Sequence, residues 1–184
     1  EKAHIAKLNA EQFFNEHQIS TLNVLCALIL PANEKYGSAT DAGVPDFIEF
    51  MAKDIPSYQT QLRGGLMWID HKCNADNNVE FKSATTEQQK AILDGIAFPD
   101  KEPTYEQSFF SLVRNLTVTG YYTSKMGIED LGYKGNTPNV WDGVPDDVLA
   151  KHGKSYPKDW MPKFVDQSKR NIMAEWDDDM NLIT

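Results

Sequence analysis

Residues Arg114 to Pro138 read RNLTVTGYYTSKMGIEDLGYKGNTP, and Asn-Val-Trp-Asp-Gly follows directly. The stretch begins as the end of an apolar-periodic helix and then passes through glycines at 120, 127, 132, 135 and 143, with large aromatics between them. Glycine permits positive φ and close backbone approach, whereas tyrosine and tryptophan are large, amphipathic and stiff. The pattern predicts a long glycine- and aromatic-rich loop that either binds a partner or closes the base of a helical bundle.

Helix signals surround this stretch. Three capping-box patterns mark helix starts, at Asn15 with Gln18, Thr85 with Gln88 and Thr104 with Gln107. Pro45 begins a further helix, and Ser57 is placed to cap another that runs to about His71. Apolar residues recur at helical spacing in these segments, and no segment shows sustained period-two alternation. We therefore expect an all-α, single-domain bundle of about five main helices, with Leu25 and Phe50 in its core.

The chain is expected to have three parts. Residues 1–14 form a loosely held N-terminal arm, residues 15–152 form the helical domain, and residues 153–184 form an extended C-terminal tail. A short helical piece begins at Pro145 and ends near Gly153, after which the helix signal weakens. The tail packs either on the domain or on a partner, because its large apolar residues look under-buried in so polar a segment.

Composition excludes several classes of function. The chain has 184 residues, of which 41% are hydrophobic, and this fits one domain with a real core. The net charge of -9 opposes binding to nucleic acid and to anionic lipid. No apolar stretch is long enough to span a bilayer.

The sequence offers little chemistry. Nucleotide-binding, phosphate-loop, zinc-protease, haem-attachment and nucleophile-elbow motifs are all missing. Asp70 and His71 stand near Cys73, but adjacent helix residues point in different directions, so we interpret this as an accidental cluster. A disulfide between Cys26 and Cys73 stays open, since sequence cannot supply its geometry. No catalytic, cofactor-binding or metal-binding residue is predicted.

Two glycines interrupt a helix that is otherwise well formed. Gly64 and Gly65 each cost about 1 kcal/mol relative to alanine in a helix. We expect this cost to be offset by a neighbouring backbone that packs closely against the two glycines. Trp68 beside them either covers the core or anchors a partner.

Three blocks follow one another along the chain: LILPANEKYGSATDAGVPDFIEFM, LRGGLMWID and FFSLVRNLTVTGYYTSKMGIEDLGYKGN. Together they cover most of Phe13 to Val148, and they resemble the gluconate 2-dehydrogenase subunit 3 family, also called the small or gamma subunit. The blocks stand in the family's order. The resemblance is specific for the family and much less specific for the enzyme within it.

The resemblance implies a non-catalytic small subunit of a flavin-dependent, GMC-type dehydrogenase that oxidises a sugar, a sugar acid or a polyol. The large catalytic subunit would hold FAD and the substrate, and a cytochrome c subunit is a further partner in such complexes. The small subunit would stabilise the large one or help it to mature and be exported. Family members typically carry a cleaved export or lipoprotein signal, so a periplasmic location, or attachment on the periplasmic side of the membrane, is also implied.

Two other functions stay open. The chain could be an independent periplasmic domain that binds a small ligand near residues 114–141, with Arg114, Tyr121, Tyr122 and Asn136 as polar contacts. It could also be an interaction domain that binds no dehydrogenase. Because interface energy concentrates in tryptophan, tyrosine and arginine, we expect the partner contacts among Trp68, Arg114, Tyr121, Tyr122, Tyr133, Asn136, Trp141, Trp160 and Trp176.

Overall fold

The structure is a computed structural model that describes residues 1–99, 101–135, 143–163 and 172–183. Over these residues the chain forms eight α-helices: α1 Lys2–Ala10, α2 Glu16–Ile29, α3 Val44–Asp54, α4 Ser57–Asn77, α5 Thr86–Asp94, α6 Tyr105–Thr123, α7 Lys125–Leu131 and α8 Asp146–Lys151. Two short 3₁₀ helices are Phe81–Ser83 and Met161–Lys163. The all-α class predicted from the sequence is confirmed, with more helices than the five main ones expected.

The chain divides into two compact units, Glu1–Tyr133 and Lys134–Thr184. We call them the bundle unit and the C-terminal unit. The bundle unit holds α1 to α7, and the C-terminal unit holds α8 and the described part of the tail. The sequence places the ends of the N-terminal arm and of the helical domain after residues 14 and 152, where the helix pattern changes. These two boundaries stay predictions.

Three helices begin as the capping boxes predict. At the start of α2, the Asn15 side chain accepts the Gln18 N–H at 2.9 Å, and the Gln18 side chain accepts the Asn15 N–H at 3.1 Å. The same reciprocal pairs stand at the starts of α5 and α6, made by Thr85 with Gln88 and by Thr104 with Gln107. Each cap satisfies N–H groups that have no partner within the helix, which stabilises the helix by about 1 kcal/mol.

The core of the bundle unit is built around α6, which packs against α2, α3, α4 and α7. Its apolar cluster joins side chains from α2, α3, α4 and α6, and the fully buried members include Leu22, Leu25, Ile48, Leu62, Leu66, Ile69, Phe109 and Val113. Burying one such side chain stabilises a fold by about 1.5 to 3 kcal/mol relative to leaving it in water. This cluster is therefore the main source of stability in the bundle unit.

The buried face of α3 is narrower than the sequence pattern suggests. Ile48 and Ala52, four residues apart, are fully buried, and Phe47 and Met51 pack against the same core. Phe50 is half-buried and stands outside the core cluster. Because successive residues turn about 100° around a helix, Phe50 points away from the Ile48 and Ala52 face. The prediction that Phe50 lies in the core is wrong.

The glycine pair in α4 is explained by the close approach of α6. A Cβ added at Gly65 would overlap the ring of Phe109, and one added at Gly64 would lie 2.5 Å from the hydroxyl oxygen of Tyr105. The Tyr105 hydroxyl also donates to the Thr60 carbonyl at 2.9 Å. Close packing was expected here, but aromatic side chains provide it rather than a neighbouring backbone.

Both ends of α4 differ from the prediction. The helix begins at Ser57 without any side-chain cap, so the expected capping role of Ser57 is wrong. It also continues beyond the expected end near His71, and it stops where Asn78 adopts a left-handed φ of 57°. The extra length places Cys73 in the core, where it is fully buried. That burial favours the additional turns.

The segment before α2 is tied to α3 more closely than a loose arm would be. Leu8 of α1 is buried. The Lys53 ammonium donates to the Glu11 carbonyl at 2.8 Å, and the Phe13 N–H donates to the Glu49 carboxylate at 2.7 Å. The arm is therefore an ordered part of the bundle unit.

The glycine- and aromatic-rich stretch is helical over most of its described length, where a long loop was expected. Helix α6 continues through Gly120, and Ser124 alone separates it from α7, whose first turn it caps by accepting the Gly127 N–H at 3.1 Å. A Cβ at Gly120 would lie 2.6 Å from the Phe47 ring, so the packing of α3 requires a residue without a side chain. Residues 136–142, near the end of the stretch, lie outside the described residues.

The C-terminal unit contains little helix among its described residues. Helix α8 follows Pro145 and ends before Gly153, as the short helical piece predicted from the sequence does. Trp176 and Leu182 form an isolated antiparallel bridge, and no longer strand occurs over residues 143–163 and 172–183. None of the side chains described in this unit is fully buried.

Candidate partner interface

The nine candidate interface residues differ widely in exposure. Among those that the structure describes, one is buried, three are half-buried and three are exposed. Asn136 and Trp141 lie outside the described residues. Exposure therefore separates the residues that hold the fold together from those that present a surface.

Tyr121 lies in the core of the bundle unit with only 2% of its surface exposed. Its hydroxyl lies 3.2 Å from the Asp130 carboxylate and 3.4 Å from the Gly37 carbonyl, both of which accept hydrogen bonds. Burial, followed by the hydrogen bond to Asp130, raises the pKa of Tyr121. The side chain joins α6 to α7 and to the loop before α3, so it stabilises the fold rather than presenting a surface.

Trp68, Tyr122 and Arg114 are half-buried, and Trp68 and Tyr122 pack against the core cluster. The ring of Tyr122 meets that of Tyr121 edge to face, with 5.1 Å between centroids. The Arg114 guanidinium donates to the Ala97 carbonyl at 3.5 Å. Each of the three therefore has a structural contact and keeps an exposed part.

Trp68 lines a groove between α4 and α5 with a volume of about 540 Å³. We call it the Trp68 groove. Its apolar lining residues are Trp68, Ala91, Ile92, Gly95 and Ile96, and its polar ones are Lys72, Asp76, Asn77, Glu87 and Gln88. The apolar residues, with a tryptophan among them, match the composition of interface centres, whereas the charged residues match that of a polar rim.

Three candidate aromatics are exposed: Tyr133 at 64%, Trp160 at 53% and Trp176 at 56%. The Lys163 ammonium lies 4.9 Å from the centroid of the Trp160 ring, within the range of a cation–π contact. Large aromatic side chains with this much exposed surface are candidates for partner contact, because their burial in a complex removes much apolar area from water.

Two further apolar residues near Tyr133 were missed by the sequence analysis. Helix α7 ends in a Schellman motif, in which the Gly132 N–H donates to the Glu129 carbonyl at 3.1 Å and the Tyr133 N–H donates to the Ile128 carbonyl at 3.2 Å. Gly132 has the left-handed φ of 66° that this turn requires. Ile128 and Leu131 are exposed on the same short helix. We call Ile128, Leu131 and Tyr133 the α7 patch.

The spacing of Ile128 and Leu131 could have revealed the α7 patch. Residues three apart on a helix share one face, and Gly132 is a typical helix end. The glycine-rich pattern predicted a loop over this segment, and a loop has no regular face on which Ile128 and Leu131 could be placed together.

A polar pocket lies beside α7, with a volume of about 500 Å³. Its lining residues come from the loop before α3 and from the start of α7: Lys35, Tyr36, Gly37, Asp41, Ala42, Ser124, Lys125, Met126 and Glu129. Hydrogen bonds from the Ser38 hydroxyl and N–H, each 2.7 Å long, lower the pKa of Asp41. Arg114, Tyr121 and Tyr122, the ligand contacts expected in the alternative function, do not line this pocket.

The two cysteines are free thiols, so the disulfide left open by the sequence is not formed. Both are buried. Desolvation raises the pKa of Cys26 to about 11, although its contact with the Thr117 hydroxyl at 3.6 Å acts in the opposite direction. Burial also raises the pKa of Cys73. Thiols in such surroundings are poor nucleophiles, because the reactive form is the thiolate.

Asp70 has a structural role that connects three elements. Its carboxylate lies 2.5 Å from His17 Nε2 at the start of α2, and it accepts the Phe81 N–H at 3.1 Å. His71, its neighbour in sequence, is exposed. The two residues therefore act separately, as expected for adjacent positions on a helix.

Neither a metal centre nor a membrane-spanning helix is found among the described residues. Among the described residues, no group of three or more histidine, cysteine, aspartate and glutamate side chains could hold a metal ion. No helix in the described ranges has the length and apolar character that crossing a membrane requires.

Comparison with known proteins identifies the family. Residues 16–143, more than half of the chain, match the family model described as gluconate 2-dehydrogenase subunit 3. The chain belongs to this family. A search of curated proteins and a search of solved structures found no match. The match confirms the resemblance seen in the sequence, and it makes the chain a member of a family of dehydrogenase subunits.

The subunit 3 match covers a defined part of the structure. It spans α2 to α7, and it therefore includes the Trp68 groove, the polar pocket and the α7 patch. Helix α8 and the rest of the tail lie beyond it. The match therefore covers helices α2 to α7 of the bundle unit and leaves out α1.

Proposed function

We propose that this chain is the non-catalytic small subunit of a flavin-dependent, GMC-type dehydrogenase that oxidises a sugar, a sugar acid or a polyol. The observation that carries the proposal is the family match over residues 16–143, since these residues contain α2 to α7. A family described as a subunit acts through association with other chains. The bundle unit is accordingly assigned a binding role.

The environments of the reactive side chains support a non-catalytic role. Cys26 and Cys73 are buried thiols whose pKa values are raised. His17 and Asp70 contact each other and connect α2 to α4. These groups stabilise the bundle. A catalytic role would require them to contact a substrate, and their structural contacts do not favour this.

Two surfaces of the bundle unit are suited to bind the large subunit. The α7 patch presents Ile128, Leu131 and Tyr133, and the Trp68 groove offers a concave surface in which Trp68 stands among aliphatic side chains. Protein interfaces combine exposed apolar anchors with pockets, and tyrosine and tryptophan contribute more than most residues. Both surfaces lie in the part of the chain that the family shares.

In this proposal the large subunit holds FAD and the substrate, and a cytochrome c subunit is a further member of the complex. The small subunit stabilises the large one and assists its maturation and export. The complex acts in the periplasm or on the periplasmic side of the membrane, as the family resemblance implies. The acidic balance of the chain, -9, agrees with protein partners better than with anionic lipid or nucleic acid.

The polar pocket beside α7 favours a second candidate function, an independent domain that binds a small polar ligand. Lys35 and Lys125 line this pocket and can donate hydrogen bonds to such a ligand. Thermal melts with gluconate and related sugar acids test this candidate. A concentration-dependent rise in melting temperature that is lost in Lys125→Ala would favour it.

Co-expression with the dehydrogenase large subunit tests the main proposal. We expect the tagged chain to copurify with a yellow, FAD-containing large subunit, and the yield of soluble large subunit to fall when the chain is left out. Purified alone, the chain should show no flavin spectrum and no dehydrogenase activity. A large subunit that folds equally well without the chain and does not bind it would contradict the proposal.

A matched pair of variants refines the co-expression test. Leu131→Ser with Tyr133→Ser replaces the two most exposed apolar side chains of the α7 patch, whereas Val118→Ser changes an exposed apolar residue of α6 outside the patch. We expect the first variant to lose much more of the large subunit than the second. Melting temperatures of both, compared with the unchanged chain, separate lost binding from lost folding.

A further inference from the structure

The end of the described tail forms a small antiparallel hairpin. The Ile183 N–H donates to the Glu175 carbonyl at 2.9 Å, and the Asp177 N–H donates to the Asn181 carbonyl at 3.0 Å. Between these bonds, Trp176 and Leu182 form the antiparallel bridge. We call residues 175–183 the tail hairpin.

The turn of the tail hairpin is held by one carboxylate. Asp177 Oδ1 accepts the Asp179 N–H at 3.0 Å and the Asn181 N–H at 2.8 Å, and Oδ2 accepts the Asn181 side-chain amide at 3.0 Å. Met180 completes the turn with a left-handed φ of 64°. The conformation of the hairpin is therefore set by local bonds before any partner binds.

The bridge pair presents an apolar surface. Hydrogen bonds flank Trp176 and Leu182 rather than joining them, so they form the kind of antiparallel pair whose side chains lie on one face at close spacing. Trp176 is 56% exposed and Leu182 is 53% exposed. A tryptophan and a leucine held side by side in this way resemble the anchors of protein interfaces, because little conformational freedom is lost when they bind.

Acidic side chains accompany this apolar pair. Asp178 and Asp179 are exposed at the turn, and their carboxylates make no hydrogen bond or ion pair within the described part of the chain. Carboxylates beside an apolar anchor attract a cleft edged by lysine and arginine, and they oppose approach to an anionic membrane surface. The charge thus favours a protein partner over lipid.

We infer that the tail hairpin is a second docking element, which inserts Trp176 and Leu182 into an apolar cleft edged by lysine and arginine on the dehydrogenase large subunit. The inference rests on the proposed function, and it goes beyond the family, because the hairpin lies outside the matched residues 16–143. The family-shared bundle would provide general association, and the hairpin would add affinity for this chain's own large subunit.

Binding of the purified large subunit to the full chain tests this inference. The double variant Trp176→Ala with Leu182→Ala should raise the dissociation constant at least 10-fold. The double variant Ile172→Ala with Met173→Ala is the matched control, since both side chains are more than half exposed and lie outside the hairpin. Its dissociation constant should change less than 3-fold.

Two further variants separate the contribution of the hairpin's conformation to binding from that of its acidic side chains. Asp177→Ala keeps both apolar side chains but removes the bonds that hold the turn, and it should weaken binding several-fold. Asp178→Asn with Asp179→Asn should slow association and reduce its dependence on salt concentration, with little change at high salt. Thermal melts of every variant show whether the bundle unit stays folded.

The outcomes are distinguishable. If the double variant binds within 2-fold of the unchanged chain, the inference is wrong and the proposed function stands. If the unchanged chain does not bind the large subunit, both fail. Binding to vesicles of phosphatidylcholine and phosphatidylglycerol that is lost in the double variant would assign the hairpin to lipid and overturn the inference.

Discussion

The bundle unit and the C-terminal unit use large hydrophobic side chains in different ways. All the buried hydrophobic residues of the described chain lie between Leu8 and Tyr121, within the bundle unit. In the C-terminal unit, Trp160, Trp176 and Leu182 are each more than half exposed. The same residue types therefore stabilise the fold in the bundle unit and present an exposed surface in the C-terminal unit.

The two units also differ in the contacts that hold their secondary structure in place. Helix α6 is held by contacts with α2, α3, α4 and α7. The tail hairpin is held by backbone bonds and by the Asp177 carboxylate, all within nine residues. The position of α6 therefore depends on residues that are distant in sequence, whereas the conformation of the tail hairpin depends on its own nine residues.

The largest expected effect comes from making one substitution in each unit. Leu25→Ala removes a fully buried side chain and should lower the free energy of unfolding by about 2 to 5 kcal/mol. Leu182→Ala removes the same atoms from a side chain that is already exposed to water, and it should cost less than about 0.5 kcal/mol. Urea denaturation of both variants measures the difference. An equal loss in the free energy of unfolding for both variants would contradict the difference drawn between the two units.

The second test concerns how tightly the bundle is packed. Gly65→Ala places a Cβ against the Phe109 ring, and we expect a loss of about 1 to 3 kcal/mol, because overpacking outweighs the better helix propensity of alanine. Gly95→Ala is the control, since its Cβ would meet only the Ile92 carbonyl at 3.4 Å. Urea denaturation midpoints of the two variants measure the change in stability. A stabilised Gly65→Ala protein would mean that α4 and α6 stand further apart.

A smaller effect is expected from a helix cap, which changes local hydrogen bonding without touching the core. Thr104→Ala removes the side chain that accepts the Gln107 N–H and should cost about 1 kcal/mol. Ser57→Ala should have almost no effect, because the Ser57 side chain caps nothing. Thermal melts of the two variants provide the measurement, and a clear loss in Ser57→Ala would restore the capping role predicted from the sequence.

The smallest effect is a dependence on pH. The hydrogen bonds from Ser38 lower the pKa of Asp41. A carboxyl whose pKa is lower in the folded state stabilises the fold above its unfolded pKa of about 3.9, and that contribution is lost as the pH falls through the folded value. Asp41→Asn should therefore be slightly less stable than the unchanged chain at pH 7, with the difference shrinking below pH 4.

Asp94→Asn is the control for the pH test. Asp94 is an exposed carboxylate on α5 that makes no hydrogen bond or ion pair among the described residues. The stability of this variant relative to the unchanged chain, measured from pH 2 to pH 7, gives the effect of replacing an exposed carboxylate. A difference between Asp41→Asn and the unchanged chain that does not vary with pH would contradict the role given to Asp41.

Helix starts were predictable because their causes are local. Asn15 and Gln18 are three residues apart, and their two hydrogen bonds form as soon as the first turn does. The same is true of Thr104 and Gln107. Such pairs can be identified in the sequence with no knowledge of the fold, and the all-α class followed from them together with the helical spacing of apolar residues.

The candidate site was predictable only in part. Tyr133, Trp176 and Tyr121 were all named as candidate interface residues from the same aromatic character, yet Tyr133 and Trp176 are exposed and Tyr121 is buried. Exposure depends on which helices pack against a residue, and the sequence does not state this. Leu131 was missed for a related reason, because its segment was interpreted as a loop.

Short motifs and ordered sequence blocks are enough to predict the helical class, three capped helix starts and membership in the gluconate 2-dehydrogenase subunit 3 family. The helical position of Gly120 and the burial of Tyr121 follow instead from the way the helices pack. Gly120 faces Phe47 of α3, and the Tyr121 hydroxyl bonds to a carbonyl 84 residues away. Contacts between such distant residues arise when helices pack, and packing depends on the shapes of all the side chains that meet.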